Sequence, residues 1–186
     1  MTSTATALTL RKASMRDIPS MLRLINDYAA KGIMLPRTEL DLAENIRDFT
    51  IAHAGGDLVG CGALHFYTPG SAEVRSLAVA PEQKRLGTGR ALVEQLEEEA
   101  RAAGLDAIFA FTYVPGFFHK LGFSEVERGD LPLKAWKDCM RCPKFHCCDE
   151  IAMLKPLRGE VLRIAQTRSE ALLQIGPAIP LPRLRR

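Results

Sequence analysis

The sequence lacks any apolar run that approaches the roughly 20 residues needed to cross a bilayer. Residues 1–10 are rich in Thr and Ala and lack both a basic start and a long apolar segment, so we expect no secretory signal. These absences favour a cytoplasmic protein that does not associate with membranes. With 47% apolar and 25% charged residues, the 186-residue chain has the composition of a soluble globular protein.

A strong basic charge is also missing from most of the chain. Residues 158–186 contain six Arg and two Glu, a net charge of +4, so residues 1–157 carry −1 of the total of +3. This balance gives no reason to expect nucleic-acid binding. We expect one domain at residues 1–157 and a basic tail at 158–186, partly helical and then rich in proline. Three alternatives stay open for the tail: it docks on the domain, it mediates self-association into a homodimer, or it is mobile.

The pattern of apolar residues alternates strands and helices without an internal repeat. It predicts an α/β (α+β) domain with a mixed sheet flanked by helices. The strands are expected at 8–11, 49–54, 58–67, 72–79, 107–112, 123–126 and 150–154. The helices are expected from residue 14 to about 32, from 38, from about 90 to 103, and at 117–121. Ser14-x-x-Asp17 resembles a capping box before the first helix, and Thr38-x-x-Asp41 starts the second.

The most informative stretch is residues 73–92, which predicts a strand, a glycine-bearing turn and a helix. Pro81 ends the strand because it cannot donate to a ladder. Gly87 and Gly89 then lie where the helix begins. Glycines leave room for a ligand, and the first N–H groups of a helix have no partner within it, so this turn favours phosphate binding. Lys84, Arg85 and Arg90 add positive charge.

Lys84-x-x-Gly87-x-Gly89, placed after a Leu-Ala-Val strand, resembles the acetyl-CoA pyrophosphate loop of the GNAT acyltransferases. Lys84 stands where that loop usually has Gln or Arg. Residues 117–123 resemble a second superfamily motif, although Phe118 stands where the superfamily often has a Tyr acting as general acid. The resemblance implies acetyl-CoA as co-substrate and a mostly antiparallel sheet flanked by helices. It also implies cofactor contacts at Leu77, Ala78, Val79, Lys84, Arg85, Leu86, Gly87, Thr88, Gly89 and Arg90.

Residues 33–37, 44–49, 60–64 and 73–79 together resemble the acetyltransferase domain of the N-acetylglutamate synthase family, and residues 112–115 and 142–145 resemble its short, stand-alone form. The resemblance spans about residues 8–157. It implies acetylation of the α-amino group of L-glutamate, the first step of arginine biosynthesis, by direct attack in a ternary complex. The alternatives are another small amine or a protein N-terminus as acceptor, and a non-catalytic acetyl-CoA sensor. Glu73 argues against the sensor, and Arg37 argues against a cationic acceptor.

Acetyl transfer to an amine needs a base for the ammonium group, a polarised thioester carbonyl and a proton donor for the leaving thiolate. The resemblance implies Glu73 as the base, with backbone N–H groups of Leu77 and Val79 polarising the carbonyl. Thr112 stands where the synthase family has a Ser or Thr hydroxyl near the sulfur of the cofactor, and Tyr113 lies beside it. Either side chain, or solvent, is a candidate acid. The alternative for Glu73 is a solvated carboxylate at a strand end. The alternative for Thr112 and Tyr113 is a hydroxyl that is hydrogen-bonded to the backbone.

A dicarboxylic substrate needs cationic anchors. Arg37, in a loop with Leu35, matches the substrate-binding Arg of the synthase family, and a guanidinium suits a carboxylate bidentately. Its structural alternative is a surface charge beside a helix. Arg75 and Lys144 are weaker candidates for the same function.

Four cysteines crowd into residues 139–148, whereas Cys61 lies in a predicted strand and is expected in the core. Without a secretory signal, disulfides are not expected. Zn²⁺ binding is an alternative for Cys139, Cys142, Cys147 and Cys148, with His146 as a further ligand. Only four residues separate the two pairs, fewer than in most structural zinc sites, so we expect reduced cysteines and no required metal. The four histidines are scattered and predict no His-based triad.

Overall fold

The structure is a computed structural model that describes residues 7–131 and 147–158. Its strands are β1 (Thr9–Lys12), β2 (Phe49–Ala54), β3 (Asp57–Thr68), β4 (Ser71–Val79), β5 (Ala107–Thr112), β6 (Ser124–Glu125) and β7 (Ile151–Pro156). Its α-helices are α1 (Ile18–Ala29), α2 (Glu39–Glu44), α3 (Thr88–Ala102) and α4 (Pro115–His119). The predicted succession of strands and helices is confirmed. The boundaries differ by a few residues, since α4 begins earlier and β7 ends later than expected.

The described strands form one seven-stranded sheet in the order β1-β2-β3-β4-β5-β7-β6. Among the described strands, only β4 and β5 pair in parallel, and every other neighbouring pair is antiparallel. The helix α3 makes the connection between the two parallel strands, as such a crossover requires. The predicted mixed, mostly antiparallel sheet flanked by helices is therefore confirmed.

Helices cover both faces of the sheet because side chains alternate along each strand. On one face, Met21 and Ile25 of α1 pack in a buried cluster with Cys61 of β3. On the other, Val93 and Leu96 of α3 pack in a buried cluster with strand residues such as Leu64, Val74 and Ile108. Leu96 is fully buried, so truncating it to Ala should cost about 2–5 kcal/mol of unfolding free energy.

The helix starts follow from local side chains. Thr38 caps α2: its Oγ1 accepts a hydrogen bond from Asp41 N at 3.1 Å, and Asp41 Oδ2 accepts one from Thr38 N at 2.9 Å. Before α1, Asp17 accepts hydrogen bonds from Ser14 N and from the Arg11 guanidinium. The guanidinium beside it holds the pKa of the Asp17 carboxyl well below its usual range. Both capping patterns were visible in the sequence.

Two polar contacts attach α3 to the end of the sheet. Glu97 Oε2 accepts a hydrogen bond from Lys155 Nζ at 2.6 Å, and Arg101 Nη1 donates to Leu157 O at 2.5 Å. Burial favours the neutral form of Glu97, but the hydrogen bonds from Lys155 and Arg101 outweigh it and lower its pKa. These contacts fix a helix whose N-terminus lies at the site described below.

Within residues 7–131 and 147–158, no helix is long and apolar enough to cross a membrane. The predicted boundary between a domain at 1–157 and a tail at 158–186 stays a prediction, because residues 159–186 lie outside the described part of the chain.

Candidate functional site

The two parallel strands separate part-way along the sheet. β4 and β5 pair only over Ser71–Glu73 and Ala107–Phe109. Beyond that point β4 stays with β3 as far as Val79, and β5 stays with β7 as far as Thr112. Beyond the point of separation, the neighbouring edges of β4 and β5 no longer pair with each other and instead border a cleft. A cavity of about 1150 Å³ lies there.

A bulge bends β4 beside this cavity. Cys61 pairs with Ala78 and Ala63 pairs with Arg75, so two β4 residues oppose the single β3 residue between them. Ser76, one of the two, has a positive φ of 52°, unusual for a residue with a side chain. A bulge of this kind shifts which side chains face each side of the sheet. Leu77 and Val79 consequently line the cavity, whereas Ala78 is buried away from it.

The glycine turn predicted to bind phosphate forms the N-terminus of α3. Gly87 is the N-cap residue and has a φ of +92°, which favours glycine. A Cβ on Gly87 would meet nothing within 4 Å, so the space beyond the helix start is open. A Cβ on Gly89 would lie 3.5 Å from both Phe117 and Val79. The first helical N–H groups therefore face an open space bounded by apolar side chains, a fit for a phosphate-bearing ligand.

Positive side chains surround this turn. Lys84 Nζ lies 4.9 Å from the ring centroid of Tyr28, whose hydroxyl donates to Val79 O at 2.6 Å. The tyrosine thus connects α1, the end of β4 and the turn. Seven of the residues predicted to contact the cofactor line the cavity: Leu77, Val79, Lys84, Arg85, Gly87, Gly89 and Arg90. Of the other three, Ala78 and Thr88 are buried and Leu86 is exposed at the surface; none of them lines the cavity.

The predicted base lies where the strands begin to separate. Glu73 lines the cavity and is 9% exposed. Its Oε2 accepts a hydrogen bond from the Tyr67 hydroxyl at 2.9 Å. Glu73 is therefore not a solvated carboxylate at a strand end, because it is largely buried and hydrogen-bonded to the neighbouring strand β3. Its role as the base stays a prediction.

The two predicted acids end β5 on the opposite side of the cleft, where Thr112 and Tyr113 line the cavity. Thr112 Oγ1 accepts a hydrogen bond from Val114 N at 3.0 Å. A hydroxyl that accepts one hydrogen bond can still donate its proton, so this contact is compatible with either interpretation of Thr112. Phe118 is buried edge-on between Phe117 and Phe123, with ring centroids 5.1 Å apart in each pair.

The predicted substrate anchors differ in how they are held. Leu35, Arg37 and Arg75 line the cavity. Asn26 of α1 clamps the backbone of Arg37, accepting from its N–H at 2.9 Å and donating to its carbonyl at 3.0 Å. Arg75 Nη2 lies 3.4 Å from Asn45 Oδ1 and 4.0 Å from Asp48 Oδ2. Lys144 lies outside the described residues.

The described cysteines have different surroundings. Cys61 is fully buried, as expected, and burial raises the pKa of its thiol to about 12. Cys147 is exposed, and Cys148 lines the cavity. Of the residues in the zinc alternative, Cys139, Cys142 and His146 lie outside the described residues. Within residues 7–131 and 147–158, no group of three or more potential metal ligands occurs.

Residues 18–123 match the Acetyltransferase (GNAT) family. This chain belongs to that family. An uncharacterized N-acetyltransferase of Chlorobaculum tepidum is 43% identical over 148 residues, which are 80% of this chain and 96% of that protein. An amino-acid acetyltransferase of Mycobacterium tuberculosis is 36% identical over 121 residues, which are 63% of this chain and 69% of that protein.

The N-acetylglutamate synthase of Neisseria gonorrhoeae, solved with coenzyme A and N-acetyl-glutamate, has a similar structure, with a TM-score of 0.75 and 26% identity. The similarity covers 84% of this chain but 36% of the synthase, so this chain spans about a third of that protein. As a GNAT protein close to the amino-acid acetyltransferases, the chain is an acetyl-CoA-dependent acetyltransferase, and the open glycine turn fits that co-substrate.

Sequence reasoning missed several parts of this GNAT site. It missed the bulge at Ser76, because a serine in the sequence does not indicate a positive φ. It missed Asn26 and Tyr67, whose contacts join residues 11 and 6 positions apart. It also missed Arg128, which lines the cavity and donates to the carbonyls of Cys148 and Glu150. None of these carries a motif, since each depends on how elements pack together.

Proposed function

We propose that this chain transfers the acetyl group of acetyl-CoA to the α-amino group of L-glutamate by direct attack in a ternary complex. One observation carries the proposal: Glu73 and Arg37 line the same cavity as the glycine turn of α3. A carboxylate suited to deprotonate an amine and a cation suited to bind a carboxylate thus share one space with the cofactor turn. The names of the amino-acid acetyltransferase and synthase relatives support glutamate as the acceptor.

On the cofactor side, the N-terminus of α3 would hold the pyrophosphate. Its first N–H groups and the positive end of the helix dipole favour an anion, and Lys84 and Arg85 line the cavity beside them. Acetyl-CoA supplies an activated acyl group as a thioester. The backbone N–H groups of Leu77, in the bulge, and of Val79, after it, would polarise its carbonyl.

On the acceptor side, Glu73 would remove the proton of the ammonium group, directly or through a water molecule. Arg37 would bind a carboxylate of the amino acid through its planar guanidinium. Because Asn26 holds both backbone polar groups of Arg37, the anchor starts from a fixed position. A fixed anchor and a fixed base would hold the amine in line with the acyl carbon.

The leaving thiolate would take a proton from Thr112, from Tyr113 or from solvent. Thr112 can donate while it accepts from Val114 N, and Tyr113 lines the same side of the cavity. A covalent route through Cys61 is disfavoured, since its thiol is fully buried and burial raises its pKa to about 12. A thiol that stays protonated is a poor nucleophile.

A thiol-release assay tests the proposal. We expect release of coenzyme A thiol with L-glutamate to exceed release with glycine or spermidine, and mass spectrometry to find N-acetylglutamate. Equal or faster release with glycine or spermidine would assign another acceptor. Acetyl-CoA binding without thiol release for any amine would instead assign a sensor.

A further inference from the structure

Tyr67 approaches the proposed base from behind the cavity. β3 and β4 are antiparallel, and His65 is the register partner of Glu73, so their side chains lie on the same side of the sheet. The pairing is irregular between Phe66 and Thr68, but the ring of Tyr67 packs against that of His65 and therefore lies on this side as well. The Tyr67 hydroxyl donates to Glu73 Oε2 at 2.9 Å. Among the described residues, Glu73 lines the cavity and Tyr67 does not. The phenol can therefore affect the reaction through the carboxylate but does not line the space for the substrate.

The ring of Tyr67 is held by its neighbours. It lies edge-on to His65, with ring centroids 4.9 Å apart, and is tilted against Phe109 at 5.7 Å. Phe109 is itself fully buried and is the β5 register partner of Glu73. These rings restrict the rotation of the phenol, so its hydroxyl is aimed at the carboxylate before any ligand binds.

Several charged and titratable groups surround this pair. On β3, His65 Nδ1 lies 2.6 Å from Asp48 Oδ2, and Arg75, two residues along β4, lies 4.0 Å from the same oxygen. The β5 neighbour Phe109 is apolar. Apart from Tyr28 and the residues of the glycine turn, the other titratable residues that line the same cavity are Arg37, Tyr113, Lys120, Arg128, Cys148 and Glu150. The Tyr67 hydroxyl donates to the carboxylate itself.

We propose that Tyr67 is a positioning residue that orients the carboxylate of Glu73 toward the acceptor amine and favours its ionised form. A hydrogen bond donated to a carboxylate stabilises the charged state, and a base must be charged before it can take a proton. The bond also restricts the side chain to one orientation, which keeps the proton-accepting oxygens within reach of the amine. This inference rests on the proposed role of Glu73.

Tyr67→Phe is the test because it removes the hydroxyl and keeps the ring against His65 and Phe109. We expect kcat with glutamate to fall about tenfold, the loss expected for one hydrogen bond to a charged group. The acidic limb of the kcat/KM profile should move to higher pH, because the ionised carboxylate loses a donor. The calorimetric Kd for acetyl-CoA should stay unchanged. An unaltered kcat together with an unmoved acidic limb would overturn the proposal.

Thr68→Val is the matched control. It removes a hydroxyl from the next residue of the same strand, where Thr68 Oγ1 lies 2.7 Å from Ser71 Oγ and does not contact Glu73. We expect its kcat and its pH profile to equal those of the wild type. Thermal melting of both variants separates a loss of folded protein from a loss of catalysis. A Thr68→Val enzyme with the same shift of the acidic limb would overturn the role of Tyr67.

A double substitution separates this inference from the function on which it rests. If Tyr67 acts through Glu73, adding Tyr67→Phe to Glu73→Gln should cause no further loss of kcat. A full additional tenfold loss would show that Tyr67 acts independently of the carboxylate, and would overturn the inference. If Glu73→Gln alone leaves kcat unchanged, the proposed base is wrong, whatever Tyr67→Phe does. If Glu73→Gln impairs kcat and Tyr67→Phe does not, only the positioning role fails.

Discussion

The two ends of the cavity are built in different ways. The proposed cofactor end is made mostly of backbone: a positive-φ glycine, a helix N-terminus and a bulged strand. The proposed acceptor end is made of charged side chains held by neighbours, as Tyr67 holds Glu73 and Asn26 holds the backbone of Arg37. Backbone recognition suits the part of a ligand that is the same in every turnover, and placed side chains suit the group that decides specificity. Substitutions at the two ends should therefore affect different kinetic constants.

The largest effect is expected at the acceptor end. Glu73→Gln keeps the size of the side chain and removes the base, so kcat with glutamate should fall by about two to four decades. The remaining rate should recover as pH rises, because more of the acceptor is then the free amine. Acetyl-CoA affinity, measured by calorimetry, should hardly change. A variant with wild-type kcat at pH 7 would reduce Glu73 to a structural carboxylate and remove the contrast between the two ends.

Arg37→Met should raise KM for glutamate about 10- to 100-fold, the loss expected for a charge-assisted bidentate contact. Turnover of glycine, which lacks a side-chain carboxylate, and acetyl-CoA affinity should change less. Arg47→Met is the matched control, since Arg47 is exposed and does not line the cavity. Steady-state kinetics with both acceptors make the comparison. An equal rise of KM in both variants would show a general charge effect and not an anchor.

At the cofactor end, Gly87→Val should weaken acetyl-CoA binding by about tenfold or more, because a branched side chain disfavours positive φ and obstructs the helix start. Gly56→Val is the matched control. Gly56 has a φ of +91° against +92° at Gly87, and a Cβ on either would meet nothing within 4 Å. Both variants should lose stability, but only Gly87→Val should lose affinity in calorimetry. Equal affinity losses would mean that backbone strain, and not the cofactor turn, causes the effect.

The smallest effect on catalysis is expected outside the cavity, at the contact between Arg11 and Asp17. Asp17→Asn should lower the unfolding free energy by about 1–3 kcal/mol through loss of charged hydrogen bonds, and leave kcat unchanged. The folded-state pKa of Asp17 is lowered, so the carboxylate stabilises the fold above its unfolded pKa of about 4, and this contribution is lost as pH falls.

Denaturant unfolding between pH 7 and pH 3 measures this contribution. The difference between wild type and Asp17→Asn should be largest near neutral pH and shrink as the solution is acidified. Glu94→Gln is the control, since the pair of Glu94 with Arg90 is exposed and should contribute only a few tenths of a kcal/mol. A difference that stayed constant across this pH range would contradict the ion pair as its cause.

The distance along the chain between contacting residues explains what could be predicted from the sequence. The capping residue Thr38 and the glycine turn of α3 were predicted because their contacts join residues that are a few positions apart. The predicted residues at both ends of the cavity were placed together by resemblance and not by periodicity. Arg75 shows the limit of that reasoning, since its guanidinium lies near Asn45 and Asp48, 30 and 27 positions earlier in the chain.

By itself, the sequence determined the order of strands and helices, the capping patterns before α1 and α2 and the glycine turn, because propensity, hydrophobic period and capping act over a few residues. Only the tertiary structure decided where β4 leaves β5, that Ser76 takes a positive φ, and that Tyr67 donates to Glu73. These features depend on which strands pair and in which register. Strand pairing depends on burying both faces of the sheet at the same time, and a short stretch of sequence does not specify this.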